Sequence, residues 1–231
     1  MPTEQRRPVR PERISPRLVV DDVHDQLLRL IIDGHLPADS PLSIDALARE
    51  FGVSSSPVRE ALTRLESTGL VQRLALRGYR VAPALTADEL ADLIDARLLL
   101  EPAVAAAAAL RPAREGLVDE LEASVVALAA APRGEQFDSF RAYYDADREF
   151  HRAIVAGTHN RFLVHAYDAL GSHVQRFRLF SGRGVTDAEA TVSEHRAIAL
   201  AIAAGDADAA SQAMQAHLVG VRTRALAEIH D

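Results

Sequence analysis

The chain has no cysteine, no lysine and no tryptophan, and only two methionines among its 231 residues. The missing thiols exclude disulfides, thiolate metal sites and thiol catalysis. No apolar run reaches the roughly 20 residues that a membrane span needs. The Arg/Pro-rich N-terminus also lacks the apolar segment of a secretory signal, so the expected location is the cytoplasm, with no membrane partner. Aromatic residues make up only 5% while hydrophobic residues reach 48%. Alanine, the best helix former, fills that gap, and a mainly α protein is expected. All 26 basic side chains are arginine. Together with the alanine excess this reads as the bias of a GC-rich genome, so no arginine is functional by its mere presence.

The length suits two modest domains. A net charge of −7 argues against a nucleic-acid binder, but its distribution points the other way. Residues 1–82 hold 12 Arg against 11 acidic groups, whereas the remainder holds 14 Arg against 22. Acid is concentrated away from the N-terminal third. Residues 1–15, with Pro2, Pro8 and Pro11, read as a flexible tail whose Arg6, Arg7, Arg10 and Arg13 are either idle or in reach of phosphate.

Residues 16–33 carry Val20, Val23, Leu27, Leu30 and Ile31 at helical spacing, stopped by Gly34. A Pro-containing loop over 36–42 precedes a second short helix at 44–51, with Leu47 and Phe51 on its apolar side. Next come FGVSSSPVREALTRLESTGLVQRLALRGYRV, residues 51–81. The Ser54-Ser55-Ser56-Pro57 cluster predicts a helix start with serine hydroxyls capping free amides. Val58, Ala61, Leu62 and Leu65 form the apolar stripe, Arg59 and Arg64 lie on other faces, and Gly69 ends the helix. Two β-prone runs, 70–74 and 79–81, flank an Arg77-Gly78 tip. A helix carrying arginines beside a hairpin with a basic tip suits a winged helix-turn-helix. Such modules also serve as protein-interaction domains without DNA, and the residues alone leave both readings open.

The run GVSSSPVREALTRLESTGLV closely resembles the DNA-binding domain of GntR-family bacterial transcription regulators, and the likeness extends over residues 17–82. It implies double-stranded DNA as partner, read as an inverted repeat by a homodimer. The implied DNA-contacting set is Ser54, Ser55, Ser56, Arg59, Arg64, Arg77 and Gly78. Arg59 would read a base, Ser54, Ser56 and Arg77 would touch phosphate or minor groove, and Gly78 would let the wing approach the backbone. Three departures put the operator sequence in doubt: Ser55 where the family usually has Arg, Asp45 where some relatives carry a DNA-contacting Arg, and Pro37-Ala38-Asp39 in place of Pro-Gly.

Ala82 precedes a linker, residues 83–85, and Thr86-Ala87-Asp88-Glu89 is a capping-box signature. From residue 86 to 231 only helices are expected, at about 86–110, 113–131, 135–157, 160–181, 187–204 and 206–229, with Pro102 kinking the first. The fold expected is an N-terminal winged helix-turn-helix plus an all-helical bundle of about six helices.

Within that bundle Asp147 and His151 stand four apart on one helix face marked as buried by Tyr143, Phe150 and Ile154. His195 and His217 sit on apolar stripes of two later helices. Buried imidazoles are costly unless their nitrogens are used. Three of them with a carboxylate suit a divalent transition metal, Zn²⁺ foremost, with Ni²⁺ or Mn²⁺ as alternatives. Spacing alone weighs this evenly against singly hydrogen-bonded core histidines. His24 and His35 in the N-terminal domain read as structural or exposed, His159 and His165 as loop and surface positions, His230 is terminal, and His173 in mid-helix is an outside candidate.

The segments DREFH, EHRAI and the late HL resemble the FCD effector domain of the FadR subfamily of GntR regulators. That resemblance implies Asp147, His151, His195 and His217 as ligands and a small carboxylate metabolite as effector. It also places Arg97, which stands four residues before Glu101, facing the cavity, and leaves Arg148 and Arg176 as further effector candidates. The competing classes are a metal-dependent hydrolase, with Glu194 as acid/base, and an interaction module. No hydrolase motif surrounds Glu194, and a hydrolase would leave the winged helix unexplained, so no catalytic residue is assigned.

Overall fold

In the computed structural model, residues 16–75, 78–134, 136–180 and 185–230 are described, with side chains from 19 to 170 and from 185 to 227 within those limits. The first helix, α1 (Pro16–Ile32), buries Val20, Val23, Leu27 and Ile31, and Gly34 takes a left-handed φ of 76° just beyond it. A two-residue strand, β1 (Pro41–Leu42), follows. Helix α2 (Ile44–Phe51) starts where the Ser43 side chain accepts the amide of Ala46, and it ends on Gly52 in the left-handed region. Helix α3 (Ser55–Ser67) packs Val58, Ala61, Leu62 and Leu65 fully inside. Strands β2 (Val71–Leu74) and β3 (Gly78–Val81) complete an antiparallel sheet of order β1-β3-β2. Leu42 lies opposite Tyr79, and Val71 opposite Val81.

Two local expectations are corrected. Ser54 is the N-cap residue of α3 but makes no side-chain cap bond. The Ser55 hydroxyl instead donates to Asp45 on α2 at 3.2 Å, tying the two helices of the motif together. Residues 41–42, expected as loop, pair with β3.

The rest of the chain is α4 (Ala87–Ala109), α5 (Glu115–Ala130), α6 (Phe137–Gly157), α7 (Arg161–Phe180), α8 (Ala188–Ala204) and α9 (Ala207–His230). Each bound falls within two residues of the expected one, because Pro and Gly interrupt helical periodicity cleanly. Thr86 and Glu89 form the capping box that opens α4. Pro102 is buried inside α4, and the helix runs on through it to Ala109.

There are two main cores. One is made inside the bundle by residues such as Val104, Leu121, Leu128, Phe150, Ile154, Ile198 and Leu218. The other lies inside the winged helix, and α6 contributes to it: Phe137 and Phe140 join Leu27, Leu62, Leu65 and Val81. Those two rings meet edge to face, 5.7 Å apart. Helix α6 therefore begins in the winged-helix core and passes into the bundle.

Candidate metal centre and nucleic-acid interface

Three helices bring the metal candidates together. On α6, Asp147 and His151 belong to the buried stripe that also holds Tyr143, Phe150 and Ile154. His195 projects from α8 and His217 from α9, and all three imidazoles are at most 1% exposed. Their ring centroids lie 4.8–5.2 Å apart, and one nitrogen from each falls within 4.8 Å of the other two. Phe150 stacks on His195 at 4.1 Å, fixing that ring from one side. Asp147 Oδ1 stands 3.6 Å from His195 Nε2, at the margin of the three-histidine group rather than within it.

Two carboxylates back this cluster. Glu194 Oε2 accepts the Nδ1–H of His217 at 2.8 Å. Glu101, on α4, brings Oε2 to 2.8 Å from His151 Nδ1, an ion-pair distance without hydrogen-bond geometry. The Nε2 atoms of His151 and His217 are buried and have no hydrogen-bond partner among the described residues. A buried nitrogen lone pair left without a donor is costly. Imidazoles converging with such atoms fit a cation, because each can give a lone pair to a common centre.

Burial and ion pairing shift three groups of the site. Burial pushes the Glu101 carboxyl up, but the Arg97 guanidinium and His151 override it and hold the group at about 2. Glu194 is likewise raised by burial yet brought down to about 2 by the hydrogen bonds from His217 and Arg224. Burial takes His217 down to about 4 against the pull of Glu194. His217 is therefore neutral near pH 7, the form that binds metals.

The effector candidates separate. Arg97 is 2% exposed and pairs with Glu101 through Nε at 2.5 Å and Nη2 at 3.3 Å, beside the histidines. Arg148 lies on the solvent face of α6, paired with Glu149 at 3.0 Å and Asp145 at 3.5 Å. One residue past Asp147 it is rotated about 100° around the helix, away from the cluster. The side chain of Arg176 lies outside the described residues, as does that of His173.

In the winged helix, α3 presents Ser56, Arg59 and Thr63 on its exposed face, with Ser54 exposed just ahead of it. Thr63 was not singled out by sequence, although its position four residues after Arg59 puts it on the same face. Its hydroxyl donates to the Arg59 carbonyl at 2.9 Å. Arg64 turns the other way and holds Asp21 of α1 at 2.6 Å and Glu60 at 2.7 Å. It braces α1 against α3 instead of pointing out beside Arg59. Ser55 is half-buried in its bond to Asp45. Gly78 has a φ of 85°, which favours glycine at the start of β3. Arg77 lies outside the described residues. Among the described residues, no helix is long and apolar enough to cross a membrane.

Comparison with known proteins agrees with this layout. Residues 19–81 match the family described as bacterial regulatory proteins, gntR family, and residues 92–220 match the FCD domain. The chain is 32% identical to the HTH-type transcriptional repressor GlaR of Escherichia coli (strain K12), over 82% of this chain and 87% of that protein. It is 31% identical to the HTH-type transcriptional regulator LutR of Bacillus subtilis (strain 168), over 83% of this chain and 94% of the relative. Among solved structures, E. coli McbR/YncC superposes with a TM-score of 0.68 at 20% identity, covering 94% of this chain and all of that one, a likeness of fold. GlaR and LutR are both transcription regulators by name. The chain belongs to the GntR family of bacterial regulatory proteins, with a winged helix-turn-helix followed by an FCD domain.

Proposed function

We propose that this regulator is a cytoplasmic homodimeric repressor of the FadR type, released from an inverted-repeat operator when a small carboxylate metabolite binds at a metal site in its FCD domain. The observation that carries the proposal is the convergence of three buried imidazoles, two of them with Nε2 atoms that no described protein group satisfies. His151, His195 and His217 would hold the ion, with Asp147 beside His195 as fourth ligand. Zn²⁺ suits nitrogen-rich ligation, and Ni²⁺ or Mn²⁺ would fit the same donors less selectively. A divalent ion there supplies an acceptor position for a carboxylate oxygen. Among the described residues, Arg97 stands beside the histidines to orient such a ligand, with Glu101 holding its guanidinium in place. Neutral His217 offers its lone pair at neutral pH.

On the output side, Arg59 on the exposed face of α3 is the proposed base-reading residue, able to pair bidentately with guanine. Ser54, Ser56 and the wing around Arg77 and Gly78 would meet phosphate or the minor groove. Two heads in a dimer would read two half-sites. The repressor sense follows that of GlaR, the relative at 32% identity.

Metal analysis of the purified full-length protein tests the input, with His151→Ala/His195→Ala as control. Stoichiometric metal in wild type and its loss in the double variant are expected; retention in the variant overturns the ligand set. A gel shift with the DNA upstream of the gene, repeated with small carboxylates, tests the output.

A further inference from the structure

A chain of four polar side chains leads outward from the histidine cluster. Glu194 Oε2 accepts from His217 Nδ1 at 2.8 Å. Its two oxygens also accept from Arg224 Nη1 and Nη2, at 2.8 and 2.9 Å. The Nε of Arg224 donates to Asp187 at 2.8 Å, immediately before α8 begins. His217 is fully buried, whereas the Glu194, Arg224 and Asp187 side chains keep a quarter or so of their surface. The pair lies against a glycine inside α9: a Cβ on Gly220 would sit 2.8 Å from Arg224 Nη1 and 2.9 Å from Glu194 Oε1. Glycine inside a helix is less favourable than alanine. Here it leaves the space that the pair occupies. Residues 217, 220 and 224 follow one helix face, so α9 carries the imidazole, the gap and the guanidinium in line.

We infer that Glu194 and Arg224 are the positioning residues of His217, and that Gly220 keeps the room for their pair. This rests on reading the cluster as a metal centre. A ligating imidazole must keep one nitrogen free and the other protonated, and a carboxylate acceptor on the second nitrogen fixes both the tautomer and the ring direction. Glu194 does this for Nδ1, which leaves Nε2 as the donor atom. A single glutamate is a flexible arm, but a bidentate guanidinium holds both of its oxygens, and Asp187 anchors that guanidinium. His151 has no equivalent, since its approach to Glu101 lacks hydrogen-bond geometry. His217 is thus a ligand whose tautomer the protein sets before any ion arrives.

The alternative is a salt bridge that merely joins α8 to α9. Long-range ¹H–¹⁵N correlation of the histidine rings in metal-free full-length protein distinguishes the two. His217 in the wild type is expected as the Nδ1–H tautomer, and Glu194→Ala should give a mixture. Glu194→Gln, whose amide oxygen still accepts, should restore most of the wild-type pattern. Gly220→Ala should shift the tautomer as Glu194→Ala does without lowering the melting temperature, because only flexible side-chain ends must move. Chelator competition with Zn²⁺ should show affinity weakened about 10–100-fold in Glu194→Ala. An unchanged His217 tautomer in Glu194→Ala and Gly220→Ala overturns the relay. A wild type that binds no Zn²⁺ overturns the metal reading instead, and the metal-free spectra still decide the relay.

Discussion

Asp33, just past the end of α1, accepts a hydrogen bond at 2.9 Å from the backbone amide of Phe137, 104 residues later in the chain. A residue next to the DNA-binding helices thereby caps the helix that carries Asp147 and His151. Two ion pairs flank the cap: Arg29 with Asp138 at 2.9 Å, and Asp25 with Arg141 at 3.0 Å. From Phe137 to Asp147 is about 15 Å along the helix. One rigid element thus touches both the winged-helix core and the histidine cluster.

Removing the cap tests this joint. Asp33→Ala should cost about 1 kcal/mol, as for other helix caps, a fall of roughly 2–4 °C in melting temperature for a chain of this size. Under the proposed mechanism it should also blunt the response of DNA binding to the carboxylate, with metal content unchanged. A gel shift with and without ligand checks this; an unchanged response would mean that α6 does not carry the signal.

The buried pair behind His151 gives a larger effect. Arg97→Ala would leave the Glu101 carboxylate buried without its counter-charge, a change worth about 3–5 kcal/mol in comparable sites. Urea unfolding should register it. The double variant Arg97→Met/Glu101→Leu should recover much of the loss, because the charge that needs a partner is gone.

Acid should destabilise the metal-free protein in two stages. His217 falls from 6.5 to about 4 in the folded state, so the unfolded chain binds more protons between those values. Its contribution is complete above pH 6.5 and is lost as pH falls toward 4. Glu101 and Glu194, at about 2 against 4.5, add stability above 4.5 that disappears between 4.5 and 2. Denaturant midpoints across pH 3–8 should therefore be flat above neutrality and start to fall near 6.5. In His217→Asn the fall should begin nearer 4.5.

On the DNA side, Arg59 and Arg64 should behave differently. Arg59→Ala should weaken operator binding by about 1–3 kcal/mol and relax base preference at one position per half-site. Arg64→Ala should leave base preference intact, since Asp21 and Glu60 already occupy its guanidinium. Binding measured on a panel of single-base operator variants separates the two.

The helices were legible because their ends carry local chemistry: Gly34, Thr86 with Glu89, and Gly205 are short-range signals. Strand β1 was not, since two residues starting with proline have no strand character until β3 lies beside them. The three histidines could be picked out by apolar stripe and family resemblance, yet their convergence depends on how α6, α8 and α9 pack. Glu101 could be paired with Arg97 by spacing, but not with His151, which arrives from another helix. The placement of Arg148 was not legible, because adjacent residues such as Phe150 and His151 can both face inward on one helix, and only the packed structure shows Arg148 exposed.

Phe137 and Phe140 have a consequence for modularity. A head severed ahead of α4 would leave an apolar notch where these two rings close the winged-helix core. Grafting this reading head onto a foreign sensor therefore requires transplanting the tip of α6 with it, although more than fifty residues separate the two in sequence.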